Sequence, residues 1–287
     1  MNSYSCPESI KRFCYPRSCW GSASILESAE QVLHSMSFYD KEYAKPTETA
    51  YVGWTYEKGR IHESLMRLLR NRKINSALEI GIGAGELAFE VPSLSENLEF
   101  LGIDSSTVGV TKARAKLRLP RFHFVVCDAR HLPLQSNKFD TVVCSEVIEH
   151  VLNPERLLAE ANRALTIGGQ LILTTPNPDA LVYFMPRVMA KIHGRFNYKS
   201  KQPISNLMEI RKLRKMLSEA GFLVLEHSGA VIKPYTVDFV EHLLKIPLMP
   251  FRTLSESLER RRSLGCLGLY QIVLAKKVHA PCDTTLM

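Results

Sequence analysis

The residues best placed to do chemistry lie in the stretch Ala77 to Glu90, ALEIGIGAGELAFE. Gly81, Gly83 and Gly85 alternate with small or apolar residues and follow a short apolar run that contains Glu79. Glycine allows backbone angles that other residues rarely adopt, and it lets amide N–H groups meet a ligand without a side chain in the way. A helix that begins after such a loop adds its positive end. The spacing predicts a ligand-binding loop, although a tight strand-to-helix turn would also use these glycines.

The residue at position 86 separates two classes of ligand. A dinucleotide fingerprint needs a glycine at the sixth position from Gly81, where this chain has Glu86. The bulk and negative charge of Glu86 would face a pyrophosphate, which argues against NAD and FAD. S-adenosylmethionine has no phosphate to repel, and its zwitterionic amino-acid end suits the pattern E-x-G-x-G-x-G.

Two further acids follow predicted strands. Asp104 closes the run FLGIDSS, where a carboxylate can accept hydrogen bonds from the two ribose hydroxyls. Asp128 closes FVVCDARHLP, where it can accept from an adenine amino group while the Ala129 amide meets a ring nitrogen. A single Asp at the end of a strand is commonly a helix cap. Three acids that end successive strands, Glu79 included, favour a shared ligand.

The elements that must position these residues alternate between strand-like and helix-like stretches. Most of the apolar runs are short and continuous, which is typical of parallel strands covered on both faces. One helix is predicted to begin after the cap Asn153 with Pro154 at its first position, and another to run from a capping box at Asn206 and Glu209 to Gly221. The pattern predicts an α/β fold with a doubly wound sheet. The predicted strands are 76–81, 99–103, 122–127, 139–144, 169–174, 222–227 and 268–275.

The motifs in chain order resemble those of the class I S-adenosylmethionine-dependent methyltransferases. The segments are ALEIGIGAGELA, LGIDSS, VVCDARHLPLQSNKFDTVVCSEVIEHV and LTIGGQLILTTPN, within roughly residues 55 to 230. They are similar in particular to the small-molecule branch that includes the ubiquinone-biosynthesis O-methyltransferases. The resemblance implies a Rossmann-like, mostly parallel sheet of seven strands whose last strand, in GLYQIVLAKK, is antiparallel.

The resemblance also implies a set of cofactor-binding residues and the product S-adenosylhomocysteine. Glu79 and the three glycines would surround the methionyl part, Asp104 with the neighbouring Ser105 the ribose, and Asp128 with Ala129 the adenine. Ser145 would line the methionine side near the sulfonium. In the ubiquinone-type enzymes an arginine before the first strand binds the methionine carboxylate, and Arg60 has a similar offset; a surface arginine on a helix is the alternative.

His150, in SEVIEHV after the fourth predicted strand, is the candidate catalytic residue. A sulfonium methyl is already activated, so the protein must align the acceptor and, for an oxygen acceptor, remove a proton. Histidine titrates near neutrality and suits a general base. The alternative is a histidine that orders the loop or its neighbour Glu149. His131 and His193 are weaker candidates, and no metal site is predicted.

Charge and apolar residues are concentrated after the fifth predicted strand. Residues 187–215 hold nine Lys or Arg and one acid, so this basic segment carries a charge equal to the net +8 of the whole chain. Residues 180–201 add large apolar side chains, a composition that suits peripheral contact with an anionic membrane or a helical lid over an acceptor pocket. A nucleic-acid substrate has no motif support beyond the basic segment. No run has the length of a membrane span, which predicts a cytoplasmic protein.

We therefore predict three parts. Residues 1–54 are a leader and helical lid, in which Tyr39, Tyr43 and Trp54 close over the cofactor; residues 55–277 are the methyltransferase domain; residues 278–287 are a tail. Cap insertions are predicted at about 178–205 and 231–263, and the second could form a homodimer surface. The predicted reaction is methyl transfer to a small-molecule hydroxyl in biosynthesis. Nitrogen or carbon acceptors, and RNA bound through the basic segment, are the alternatives.

Overall fold

The computed structural model of the protein describes residues 13, 38–44, 52–70, 72–88, 90–183, 206–232, 257 and 267–280. Seven strands form its centre: β1 Ser76–Ile80, β2 Glu99–Asp104, β3 Phe122–Val126, β4 Phe139–Ser145, β5 Leu165–Pro176, β6 Phe222–Ala230 and β7 Tyr270–Lys277. The helices are α1 at 38–44, α2 Val52–Arg70, α3 Thr107–Lys116, α4 Pro154–Ala164 and α5 Ile210–Glu219. Short 3-10 turns lie at Val91–Ser93, Ile148–His150 and Leu181–Tyr183.

The strands form one sheet in the order β3-β2-β1-β4-β5-β7-β6. The first five strands pair in parallel, and β7 is antiparallel to both β5 and β6. Chain order reverses between β1 and β4, and in open α/β sheets ligands bind at the carboxyl ends of the strands beside such a reversal. The predicted fold class is confirmed, and the glycine loop stands at this point.

Two apolar clusters cover the sheet because successive side chains of a strand point to opposite faces. Leu78 and Ile80 of β1 belong to the cluster that includes α4 and α5, whereas Ala77 belongs to the cluster that includes α2 and α3. Leu65 of α2 is fully buried. Burying one such side chain contributes about 1.5–3 kcal/mol to folding. The continuous apolar runs in the sequence are the result of this cover on both faces.

Phe13, in the predicted leader, is part of the domain core. Its ring stacks on Phe139 with centroids 5.3 Å apart, and its carbonyl oxygen accepts a hydrogen bond of 2.6 Å from the amide of Gln135. The leader therefore contacts the sheet through Phe13.

The bounds of four predicted elements are wrong by more than one residue. Besides α5 and β5, strand β6 extends to Ala230 rather than 227, and β7 is Tyr270–Lys277 rather than 268–275. Helix α5 begins at Ile210, and its N-cap is Glu209 rather than Asn206. The Asn206 amide donates to the Glu149 carbonyl and the Asn206 side-chain amide to the Val151 carbonyl, so Asn206 lies in the segment before the helix. Strand β5 begins at Leu165 rather than 169, with a register shift against β4 between Phe139 and Thr141. The cap at Asn153 forms as predicted, accepting from the Arg156 amide at 3.0 Å.

The two predicted cap insertions lie mostly outside the described residues, as do Trp54's side chain and His193. Within the described part of the chain, no helix has the length and apolar character needed to span a membrane.

Candidate functional site

The glycine loop that follows β1 has a backbone conformation that strongly favours glycine. Gly81, Gly83 and Gly85 have φ of 77°, 54° and 80°, in the left-handed region. A Cβ at Gly81 would overlap the Val147 side chain, and one at Gly83 would lie 2.5 Å from the Tyr43 hydroxyl oxygen. The loop thus lacks room for side chains as well as requiring glycine angles. Tyr43 and Val147 are the side chains that now adjoin it.

Glu79 places an unmet carboxyl oxygen beside this loop. Its side chain is 4% exposed, and Oε2 has no hydrogen-bond partner in the described ranges. Burial, together with the charges of Glu86 and Asp104, raises its pKa well above the ordinary value. A buried acceptor without a partner is costly. A cationic or N–H-bearing ligand group at this point would satisfy it.

Asp104 ties the glycine loop to the turn after β2. Its Oδ2 accepts from the Gly83 amide and its Oδ1 from the Ser106 amide, both at 2.8 Å. Burial raises its pKa, although the hydrogen bonds from Ser106, Gly83 and Ser105 oppose the shift. Each oxygen keeps a second lone pair for ligand hydroxyls. Ser105, the other residue predicted here, is half-buried in the same turn.

Helix α1 docks on this turn through backbone and carboxylate contacts. Asp40 Oδ1 accepts from the Ser106 hydroxyl and, at 3.1 Å, from the Val108 amide at the start of α3. Lys112 Nζ donates to the Tyr43 carbonyl oxygen. Part of the predicted leader therefore lies against the site. Sequence reasoning missed Asp40, since its only signal was a location next to Tyr39.

Asp128, two residues beyond β3, is paired with Arg130. The carboxylate accepts from the Arg130 Nε at 3.0 Å and Nη2 at 2.7 Å, and from its amide at 2.9 Å. Burial raises the Asp128 pKa, but the Arg130 hydrogen bonds and charge outweigh it and hold the pKa below its usual range. Sequence reasoning missed Arg130; an arginine two residues after the Asp was the available signal. Ala129, between them, packs partly buried against the α4 and α5 cluster.

Two carboxyl groups, those of Glu146 and Glu149, follow the end of β4. Ser145 Oγ lies 3.0 Å from Thr174 Oγ1, which donates to Glu146 Oε1 at 2.8 Å. Glu146 has φ of 56°, unusual outside glycine. Burial, and then the charge of Glu149, raises its pKa. Sequence reasoning did not assign Glu146 to the site.

His150 stands against the second of these carboxyl groups. Its Nε2 is 3.6 Å from Oε1 of Glu149, whose side chain is 1% exposed and whose Oε2 accepts from the Thr175 hydroxyl at 3.0 Å. Burial raises the pKa of Glu149 to about 7, although its own amide and Thr175 oppose the shift. On its other side, the His150 ring meets Tyr39 edge to face, with centroids 5.6 Å apart.

The predicted site residues thus gather at the carboxyl ends of β1, β2 and β4, with Asp128 following β3. Arg60 lies on α2, where it forms an ion pair with Glu63 one turn along. Its predicted contact with a ligand carboxylate stays a prediction. Across the described ranges, no three His, Cys, Asp or Glu side chains form a group that could hold a metal ion.

Residues 78–173 match the family model described as a methyltransferase domain. An uncharacterized protein of transposon TN4556 from Streptomyces fradiae is 31% identical over 207 residues, which cover 69% of this chain and 59% of that protein's length. The ubiquinone biosynthesis O-methyltransferase of Thiobacillus denitrificans is 24% identical over 215 residues, covering 68% of this chain and 88% of that one.

A solved structure has a similar fold. The N-methyltransferase NodS from Bradyrhizobium japonicum, solved with S-adenosyl-L-homocysteine, superposes with a TM-score of 0.55 at 14% identity. The superposition covers 85% of this chain and 99% of NodS.

Proposed function

We propose that this chain, which belongs to the class I S-adenosylmethionine-dependent methyltransferases, transfers a methyl group to a hydroxyl oxygen of a small molecule. The observation that carries the acceptor assignment is the pair of His150 and Glu149 at the end of β4, with 3.6 Å between Nε2 and Oε1. A histidine backed by a buried carboxylate suits the removal of a hydroxyl proton.

The residues at the strand ends fit S-adenosylmethionine, which supplies a sulfonium methyl already activated for displacement. The unmet Oε2 of Glu79 suits the ammonium of the methionyl part. Asp104 retains lone pairs for ribose hydroxyls, and Asp128, kept ionised by Arg130, suits the adenine amino group. Ser145 would lie on the methionine side, and Arg60 would hold the methionine carboxylate.

His150 would act as the general base during an in-line displacement. The acceptor oxygen forms its bond to the methyl carbon as the carbon–sulfur bond breaks, and the electron pair of that bond leaves with sulfur in S-adenosylhomocysteine. The hydroxyl proton passes to His150. The Glu149 carboxylate then stabilises the imidazolium.

Labelled methyl transfer tests this assignment. The protein would be incubated with methyl-labelled S-adenosylmethionine and an extract of its source cells, and label would be measured in organic-soluble, polar and macromolecular fractions. We expect label in a small-molecule fraction, a loss of about 100-fold or more in rate for His150→Gln, and unchanged S-adenosylhomocysteine affinity. His131→Gln, an exposed histidine after Asp128, is the control. Label confined to macromolecules, or full activity of His150→Gln, would overturn the proposal.

An amine acceptor is the second candidate, and Glu146 favours it. Its carboxyl lies beside that of Glu149, and a carboxyl oxygen there can accept a hydrogen bond from an amine N–H. This candidate predicts that Glu146→Gln slows transfer more than His150→Gln does. The hydroxyl proposal predicts the opposite order.

We also propose the division into a leader 1–54, a domain 55–277 and a tail 278–287, and peripheral contact of residues 180–201 with anionic membranes. The support is the charge and apolar content of 180–201 and 187–215, read from the sequence. Cosedimentation with phosphatidylserine vesicles, compared with phosphatidylcholine vesicles, tests the contact. Equal sedimentation with both would contradict it.

A further inference from the structure

Tyr39 holds a buried hydroxyl that the fold does not use. The oxygen is shielded from solvent and has no hydrogen-bond partner within the part of the chain that the structure describes. A buried donor left unpaired costs about 1–3 kcal/mol. Such a group in a native protein calls for an explanation, and a ligand that supplies the missing partner is one.

The neighbours of the Tyr39 ring indicate which part of a ligand would meet its hydroxyl. On one side its ring meets the His150 ring, with centroids 5.6 Å apart and planes at 67°. On the other side lies Tyr43, with centroids 6.4 Å apart, whose hydroxyl reaches the surface of Gly83. Tyr39 therefore stands between the glycine loop, where the cofactor's methionyl end is proposed to lie, and the proposed base.

The charge around Tyr39 keeps its proton in place. Burial, followed by the carboxylates of Glu149 and Asp104, raises the pKa of the phenol well above its ordinary value. Asp104 lies on the proposed ribose side of the site and Glu149 on the proposed acceptor side. The two charges that raise the pKa of Tyr39 therefore come from both sides of the ring, as the ring contacts with Tyr43 and His150 do. A neutral phenol offers one O–H donor and two lone pairs, and it does not act as a base.

We propose that the Tyr39 hydroxyl is a catalytic group at the reacting centre, contacting the transferring methyl and the acceptor together. Its lone pair accepts a weak C–H···O contact from the polarised methyl, and its O–H donates to the acceptor atom. The methyl passes to the acceptor oxygen, the carbon–sulfur electron pair leaves with sulfur, and the hydroxyl proton goes to His150. Tyr39 keeps its own proton throughout. This assignment rests on the proposed methyl transfer.

A tyrosine that only packs α1 against the domain would have the same ring contacts, so the test must isolate the hydroxyl. Sinefungin carries a C–NH3+ group in place of S+–CH3, whereas S-adenosylhomocysteine has nothing at that position. Both bind without an acceptor. The ratio of their affinities therefore reports contacts at the transferring methyl.

The experiment measures the Kd of both compounds by titration calorimetry for the wild-type protein and for Tyr39→Phe, which keeps the ring. We expect Tyr39→Phe to weaken sinefungin about 10-fold, the size of one hydrogen bond to a charged group, with the S-adenosylhomocysteine Kd within about 2-fold. Tyr43→Phe, on the same helix but at Gly83, should change both Kd values in parallel. Phe38→Leu, which alters a ring packed on Tyr39, controls for the docking of α1.

The outcomes separate the two proposals. If the wild-type protein binds neither compound, the proposed function fails and the Tyr39 assignment fails with it. If the wild type binds both and Tyr39→Phe changes neither Kd, or both equally, only the Tyr39 assignment is overturned. In labelled transfer, Tyr39→Phe should lower the rate about 10-fold or more without altering the pH profile, since His150 remains the base.

Discussion

The amide of Gly83 donates a hydrogen bond of 2.8 Å to Oδ2 of Asp104, so the glycine loop after β1 and the turn after β2 form one unit. The other oxygen of Asp104 holds the Ser106 amide, and the Ser106 hydroxyl in turn donates to Asp40. A substitution at any of these positions is expected to shift both the loop and the turn, and so to weaken ligand binding. Helix α1 is joined to this unit by Asp40 although it lies far from it in the sequence.

Gly83→Ala should reduce cofactor affinity more than it reduces stability. A Cβ at Gly83 would lie 2.5 Å from the Tyr43 hydroxyl oxygen and strain the loop. Gly168→Ala is the matched control, because Gly168 has a similar φ of 81° but the nearest atom to its Cβ is 3.6 Å away. Each costs about 1–2 kcal/mol in backbone strain. We expect the S-adenosylhomocysteine Kd to rise about 30-fold or more only for Gly83→Ala. Equal Kd values for the two variants would contradict a role for the loop in binding.

Asp40→Asn should weaken cofactor binding by loosening α1. The Asp40 side chain accepts from the Ser106 hydroxyl and from the Val108 amide at the positive end of α3, where an acidic side chain stabilises a helix by about 0.3–1 kcal/mol. We expect the Kd of S-adenosylhomocysteine to rise about 3- to 10-fold. Amide hydrogen exchange in α1 should become faster.

Lys41→Gln alters an exposed charge on the same helix and serves as the control. A variant Asp40→Asn that binds as tightly as the wild type would show that the contact of α1 with Ser106 is not part of the binding site.

Arg130→Ala should make cofactor affinity depend on pH. Arg130 hydrogen bonds hold the pKa of Asp128 below its ordinary value, so the carboxylate is ionised across pH 5 to 8. Without the guanidinium, burial remains and raises that pKa, so Asp128 gains a proton as the pH falls. The protonated group loses acceptor capacity for the adenine amino group. We expect the S-adenosylhomocysteine Kd of Arg130→Ala to rise between pH 7 and pH 5, measured by titration calorimetry.

Two further variants test the cause of that pH dependence. Arg130→Lys keeps the charge but not the two-pronged donor, and should lie between wild type and Arg130→Ala. Arg156→Ala removes a side chain that donates to the Arg130 carbonyl oxygen, and should leave the pH dependence unchanged. A flat pH profile for Arg130→Ala would show that Asp128 does not meet the adenine.

The strands were predictable because cover on both faces gives each one a continuous apolar run, as in β4 Phe139–Ser145. The strand-end acids were predictable because the carboxyl ends of parallel strands share one edge. The start of α5 was not predictable. Asn206 is a residue type that often caps helices, but its side chain donates instead to the Val151 carbonyl, in a loop that is distant in the sequence. Nor was the position of Tyr39 against His150 predictable, because that contact joins two residues that are far apart in the sequence.

The pH dependence of stability offers a test of the buried acid behind His150. Burial raises the pKa of Glu149 to about 7 in the folded protein, against about 4.3 in an unfolded chain. Between these values the folded state binds a proton that the unfolded state has lost, so the free energy of unfolding falls as pH rises. Glu149→Gln has no such proton. Its melting temperature relative to wild type should therefore rise from pH 5 to pH 8, by about 3–8 °C, as followed by calorimetry. Glu155→Gln, exposed in the first turn of α4, should show a constant offset instead. A constant offset for Glu149→Gln as well would mean that Glu149 is ionised throughout, and His150 would then have a permanently charged partner.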